Sequence, residues 1–538
     1  MVPFENLTPE NADISWIGPA IAGIAAAQTE GDKKFRTIAV NTVRDAQTLN
    51  AERVLSGYYL VQEGRITAHL DLRDEVGRRT LKSIDLTGNV SRIGDLASSV
   101  AKETGAPVHN WYNASNSALS SYFAARSAAD PAAAFSLLER AVAADPSFGA
   151  AAVVRIEFLA RSGNEAVALA SIPEARKARL TASDSARLDL VVAQARKNAQ
   201  EQAAALTKLA HLDTASPQLW KSVATAQMTT KDYKAAAEAA AHALELQPLD
   251  DSMLNLRGYA LGFSGDLPAS RTAFEEYRKT FPGSYNPIDS LGEMLFYYRL
   301  YDEAGKLFME AAEKDQGAVN GSETFRAALC RYLLNDRDGA DKLFNQYISA
   351  RRKAGDAQAP LREAIWMRLT RRQPAPPTDS VGLATSSMWA LLDGDREKAR
   401  SLAEAARRSA TTPSTLSLAT TSLIVSQPSA SPDIWEARLA QLIPDPRQAH
   451  VKSELLGWSL LLDRRYPEAV RAWRSAWNQS SSLTGENLRI LLTWSLIEAG
   501  QIDEARRVMP QGWLPPMSLE PGLGVLIYPR IIDLRTKL

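Results

Sequence analysis

Pro248 and Pro282 stand 34 residues apart, each just after an amphipathic helical stretch, and other positions keep the same interval. Ala224, Gly258 and Gly292 form one series, and Ala236, Ser270 and Ala304 a second. Ala240, Phe274 and Phe308 form a third, and Tyr233, Leu267 and Tyr301 a fourth. The residue types explain the spacing. A small residue on the first helix of a pair lets the second approach. Ala or Ser on the second helix meets it. The large residue four further on fills the gap between pairs. Proline ends the unit because it cannot continue a helix. One helical hairpin cannot bury both of its faces, so only stacking on neighbours completes a core.

A 34-residue period carried by helix pairs resembles the tetratricopeptide repeat, strongly over residues 216–317. Looser units extend it. Upstream are Phe135–Ala141 with Pro146, and Ala151–Ser162 with Gly163-Asn164. Downstream are Arg337–Ala340 with Phe344 and Tyr347, and Asp393–Ala399. Gly457, Tyr466, Ala469, Trp473 and Ala476 make another unit, and Gly500, Ile502, Ala505 and Met509 the last. Stretches 166–213 and 355–380 read as irregular, the second broken by Pro360 and by Gln373–Pro377. The expected fold class is mainly α: an α-α superhelix (TPR-like solenoid) over 111–513, with a joint near 355–380. Roughly nine to eleven hairpins are expected, with 514–538 as a carboxy-terminal cap. A small α/β domain over 1–110 precedes the array.

In that first region a small-residue helix is expected over Gly18–Thr29 and a strand over Phe35–Thr42. A hairpin of Arg53–Gln62 and Arg65–Asp74 turns at Glu63-Gly64, because Ile66, Ala68, Leu70 and Leu72 alternate with polar residues. Thr80–Thr87 reads as a third strand and Ser91–Thr104 as a helix. The run from Val2-Pro3-Phe4 to Pro9-Glu10 resembles the opening of the TolB amino-terminal-like domain, as does Val54-Leu55-Ser56-Gly57 before Arg65–Leu70. Leu86-Thr87-Gly88-Asn89 departs from the acidic-aromatic stretch usual there. The resemblance implies a non-enzymatic bacterial module that precedes helical repeats, often behind a membrane helix, a DNA-binding domain or a kinase. Val2-Pro3-Phe4 reads as a first strand, so the natural product is expected to continue upstream.

Lys plus Arg and Asp plus Glu are both 62 of 538 residues, a balance that argues against a chain built to grip nucleic acid. No apolar run reaches the roughly 18 residues that span a bilayer, although an upstream anchor fits the resemblance. The single cysteine, Cys330, sits in an apolar helical stretch and reads as core. Low cysteine use fits the cytoplasm and the bacterial periplasm alike. His69, His109, His211, His242 and His450 show no metal-ligand spacing, and no phosphate loop or nucleophile elbow occurs. No cofactor, metal or catalytic site is expected.

What remains is surface. The first helix of each hairpin lines the concave groove in repeats of this kind. Asn255, Tyr259 and Phe263 occupy its outward positions in one unit; Asp289, Glu293, Phe296 and Tyr297 do so in the next. Phe325 and Tyr332 follow, and Trp458 is a later candidate, whereas Trp473 holds the gap-filling position. Rigid aromatic rings with polar companions suit capture of a protein or peptide. The Lys/Asn clamp for a terminal carboxylate is not reproduced, since Thr225 stands where Asn would be needed beside Lys221. The expected function is a non-enzymatic protein- or peptide-binding scaffold. The alternative is the sensory or regulatory part of a larger signalling protein with an upstream effector domain.

Overall fold

The computed structural model describes residues 1–8, 14–29, 37–48, 51–105, 114–315, 321–427, 437, 439–441, 449–479, 485–509, 512–516, 518–519 and 523–538. His109 lies outside them. The chain forms two compact units, Met1–Met253 and Leu254–Leu538.

The first unit opens with a four-stranded sheet in the order β1 (Glu5–Asn6), β2 (Arg53–Gln62), β3 (Arg65–Asp74), β4 (Arg79–Asn89). β1 runs parallel to β2, and the other pairs are antiparallel. Glu63 and Gly64 both take positive φ, +48° and +75°, which gives the two-residue turn the twist of the flanking strands. The expected strand over Phe35–Thr42 does not form across the described residues 37–42. Ile38 and Val40 instead trade backbone hydrogen bonds with Met1, and Val43–Thr48 coils into α2. With β2 already flanked by β1, the segment has only this short neighbour to pair with.

Helices α1 (Ile17–Gln28) and α3 (Ile93–Glu103) cover one face of the sheet. Their shared core of Ile21, Tyr59, Ile66, Leu70 and Val100 runs on into Tyr122, Phe123 and Phe148 of the first helical hairpins. Those hairpins are α4 (Asn116–Ser127) with α5 (Pro131–Ala144), and α6 (Gly149–Arg161) with α7 (Glu165–Ala175). Then come α8 (Ala182–Ala195) with α9 (Ala199–Leu212), and α10 (Pro217–Thr230) with α11 (Tyr233–Leu246).

Stretch 166–213 is therefore regular, contrary to the sequence reading. The residue that turns each hairpin is left-handed at Gly163, Lys197, Lys231, Gly265 and Arg299, all 34 residues apart. Lysine or arginine takes a conformation usually signalled by glycine, and Pro173 lies inside α7, so the period was hidden.

The second unit begins within α12 (Asp251–Phe263), which pairs with α13 (Leu267–Thr280); α14 (Asn286–Tyr297) pairs with α15 (Tyr301–Lys314), and α16 (Ser322–Leu333) with α17 (Arg337–Lys353). Asp232, Asp266 and Asp336 cap the second helices α11, α13 and α17, each accepting from a backbone N–H three residues on. The small–large fit is steric. A methyl group on Gly258 would lie 2.5 Å from the Phe274 ring, one on Gly292 2.9 Å from Phe308, and one on Gly457 2.7 Å from Trp473. Ser270 donates to the Gly258 carbonyl at 2.7 Å across the same contact.

α18 (Ala359–Leu369) stands as a single helix, followed by an extended stretch through Gln373–Pro377. The array resumes with α19 (Ser380–Leu392), α20 (Arg396–Ser409) and α21 (Pro413–Val425). It continues with α22 (Ala449–Leu462), α23 (Tyr466–Gln479), α24 (Gly485–Glu498) and α25 (Ile502–Val508). The last helix, α26 (Leu523–Lys537), is more than an end cap. It meets α24, and it also turns back onto α18 and α19. Among the described residues no helix is long and apolar enough to cross a membrane.

Candidate partner-binding groove

Three first helices, α12, α14 and α16, present the same register slots in succession. Asn255, Asp289 and Glu323 share one slot; Tyr259 and Glu293 share another. Phe263 and Tyr297 lie one helical turn further on. The rings make a ladder: Tyr259 stacks on Phe263 at 6.0 Å, and Phe263 meets Tyr297 edge-on at 5.4 Å. All three are half-buried, as are Asn255 and Tyr332, the latter under the Arg337 guanidinium. These five keep accessible surface on the first-helix layer.

Asp289 and Glu293 do not stand open as the sequence reading had them. Both are buried around Arg326 of α16. Arg326 donates to Glu293 Oε1 at 2.5 Å, to Asp289 Oδ2 at 3.1 Å and to Glu323 Oε1 at 3.1 Å. Tyr259 Oη donates to Glu293 Oε2 at 2.6 Å, and the Phe308 ring lies 4.9 Å from the guanidinium carbon. Three carboxylates thus share one cation in a low-dielectric setting. Burial pushes the Asp289 carboxyl up to about 7, helped by Glu293 and Glu323 and opposed by Arg326. Burial also raises Glu293, against the pull of Arg326. Burial raises the Tyr259 hydroxyl well above its usual range, and the Glu293 charge adds to it.

Arg326 and Glu323 were missed. The signal was present, since Glu323 falls 34 residues after Asp289 and Arg326 interrupts an apolar helix between Phe325 and Ala327.

Phe296 and Trp458 are corrections. Each is 2% exposed: Phe296 packs on Tyr301 at 5.1 Å and Trp458 on Trp473 at 5.7 Å. Trp458 is turned inward beside the tight Gly457–Trp473 contact, whereas Phe296 lines a cavity closed by Tyr301 and by Trp513 and Tyr528 of the carboxy-terminal segment. Phe325 is fully buried against Tyr347. Lys221 is engaged by Asp250. His69 is an exposed strand residue whose Nδ1 lies 2.7 Å from Asp85, which raises its pKa. Cys330 is buried, and burial drives its thiol pKa far up, which disfavours the reactive thiolate.

No family model matches the chain, and no curated protein matches it. Among solved structures it is similar to MamA (residues 41 to the end) from Desulfovibrio magneticus RS-1, at 15% identity and TM-score 0.27, covering 33% of this chain and 98% of that one. It is also similar to YrrB, described as a TPR protein with an unusual peptide-binding site, at 14% identity and TM-score 0.26, covering 33% and 89%. A third likeness is to Naa15/Naa10 bound to HypK-THB, at 13% identity and TM-score 0.33, covering 71% of this chain and 65% of that chain.

Proposed function

We propose that this chain is a non-enzymatic scaffold that binds a protein or peptide on the first-helix layer of its second unit. The observation that carries the reading is the half-buried ladder Tyr259–Phe263–Tyr297, whose first ring is fixed by its hydroxyl to Glu293 of the Arg326 network. Rings held this way lose little side-chain entropy on binding. Pre-organisation lowers the cost of association, and the buried ion network supplies it by locking α14 to α16. The amino-terminal α/β portion, similar to the TolB amino-terminal-like domain, would act as a docking head.

The test is affinity capture from the native cells with the full chain and with a Phe263→Ala/Tyr297→Ala variant. Proteins recovered by the wild type and lost by a variant of unchanged helical circular dichroism support the reading. An identical recovered set contradicts it.

A further inference from the structure

The carboxy-terminal segment lies on the same layer of helices that the scaffold reading assigns to partners. Gly512 backs onto α14 so closely that an added methyl group would sit 1.9 Å from the Tyr297 carbonyl oxygen. Helix α26 then packs against the single helix α18 and the first helices α19 and α24. It buries Ile527, Ile531 and Leu534, a stripe at i, i+4 and i+7 along one face. Polar residues tie its edges: Arg530 donates to the Leu392 carbonyl at 3.0 Å and covers the Trp494 ring at 4.4 Å, and Asp533 pairs with Arg371. These are the contacts of an amphipathic helix laid in a groove.

The seat is imperfect. A cavity of about 270 Å³ remains between the segment (Trp513, Tyr528, Ile531) and the ends of α14 and α16 (Phe296, Leu333). The ion pairs of Asp533 with Arg371 and of Lys537 with Glu498 join half-exposed side chains and hold weakly. Pro529 removes one backbone donor inside the helix.

We propose that this face of the second unit is a helix-binding surface, occupied in cis by Gly512, Trp513 and helix α26. The partner it takes is another amphipathic helix with an isoleucine/leucine stripe flanked by arginine. This rests on the scaffold reading and adds the shape of the ligand and its competitor.

The probe is a fluorescein-labelled peptide of residues 519–538, titrated by anisotropy into three full-length chains: wild type, Gly512→Leu, and Ile531→Asp/Leu534→Asp. The wild type should bind weakly, because its own segment competes. Both variants should bind at least about tenfold more tightly, and a peptide carrying the same two aspartates should not bind. Equal weak binding to all three chains, with helical content unchanged, overturns the inference and leaves the capture experiment on Phe263 and Tyr297 untouched. Loss of folded structure in both variants also overturns it, because the segment is then core and not a ligand. Hydrogen exchange on the unmodified chain gives a second measure. Amides of α26 should exchange before those of α18 and α19, and exchange in step with them counts against the proposal.

Discussion

Arg187 and Arg326 each bridge successive first helices, one in each unit, and they differ in burial. Arg187 of α8 reaches back to Glu157 of α6 with a two-pronged contact at 2.8 and 2.7 Å, and its side chain keeps 30% exposure. Arg326 of α16 reaches back to Glu293 and Asp289 of α14 and keeps 2%. The device is the same in both units. Water still reaches part of the first pair, so it ties two helices together at a lower energetic stake than a fully buried network. In the second, each charged group depends on the others, so the network fixes geometry at high stake. The buried network thus ties α14 to α16 more exactingly than the half-buried pair ties α6 to α8.

The largest test of that contrast is Arg326→Leu. Leaving three buried carboxylates without their cation should destabilise the second unit by about 3–5 kcal/mol, read as a lowered denaturation midpoint. A change below about 1 kcal/mol would mean the site is wetter than its geometry implies.

Next comes pH. The Asp289 carboxyl is raised from 3.8 to about 7 in the folded chain. Its contribution to stability is therefore full below about pH 4 and lost as pH rises through about 7. Melting temperature should fall between pH 5 and pH 8, with a slope of at most about 1.4 kcal/mol per pH unit. Asp289→Asn should flatten that slope, and an unchanged slope would remove Asp289 as its source.

The smallest effect belongs to Arg187→Leu. This half-buried pair predicts a smaller loss, about 1–2 kcal/mol, part of it sensitive to salt. A loss comparable to that of Arg326→Leu would erase the distinction between the units.

The same comparison explains what could be read in advance. The fold was legible wherever steric complementarity wrote itself into residue size, as at Gly258 with Phe274 and Gly292 with Phe308. It was illegible over 166–213, where Lys197 turns the hairpin without a glycine. It was also illegible at 514–538, because a helix that folds back onto distant partners carries the same apolar stripe as a cap. Of the groove, the aromatic ladder was readable from helical spacing. Phe296 and Trp458 were misplaced because periodicity does not say which side of a first helix the next hairpin covers. Arg326 was passed over because an arginine beside phenylalanine looks like a solvated helix edge until its three carboxylates are seen around it.

On the proposed function, the half-buried ladder Tyr259–Phe263–Tyr297 touches another protein. Replacing Phe263 with photoreactive benzoylphenylalanine in the native cells tests it directly, with Val167, an exposed residue on α7, as the control position. A light-dependent adduct of higher mass is expected from position 263 and none from position 167. No adduct at 263, or equal adducts at both, would contradict it.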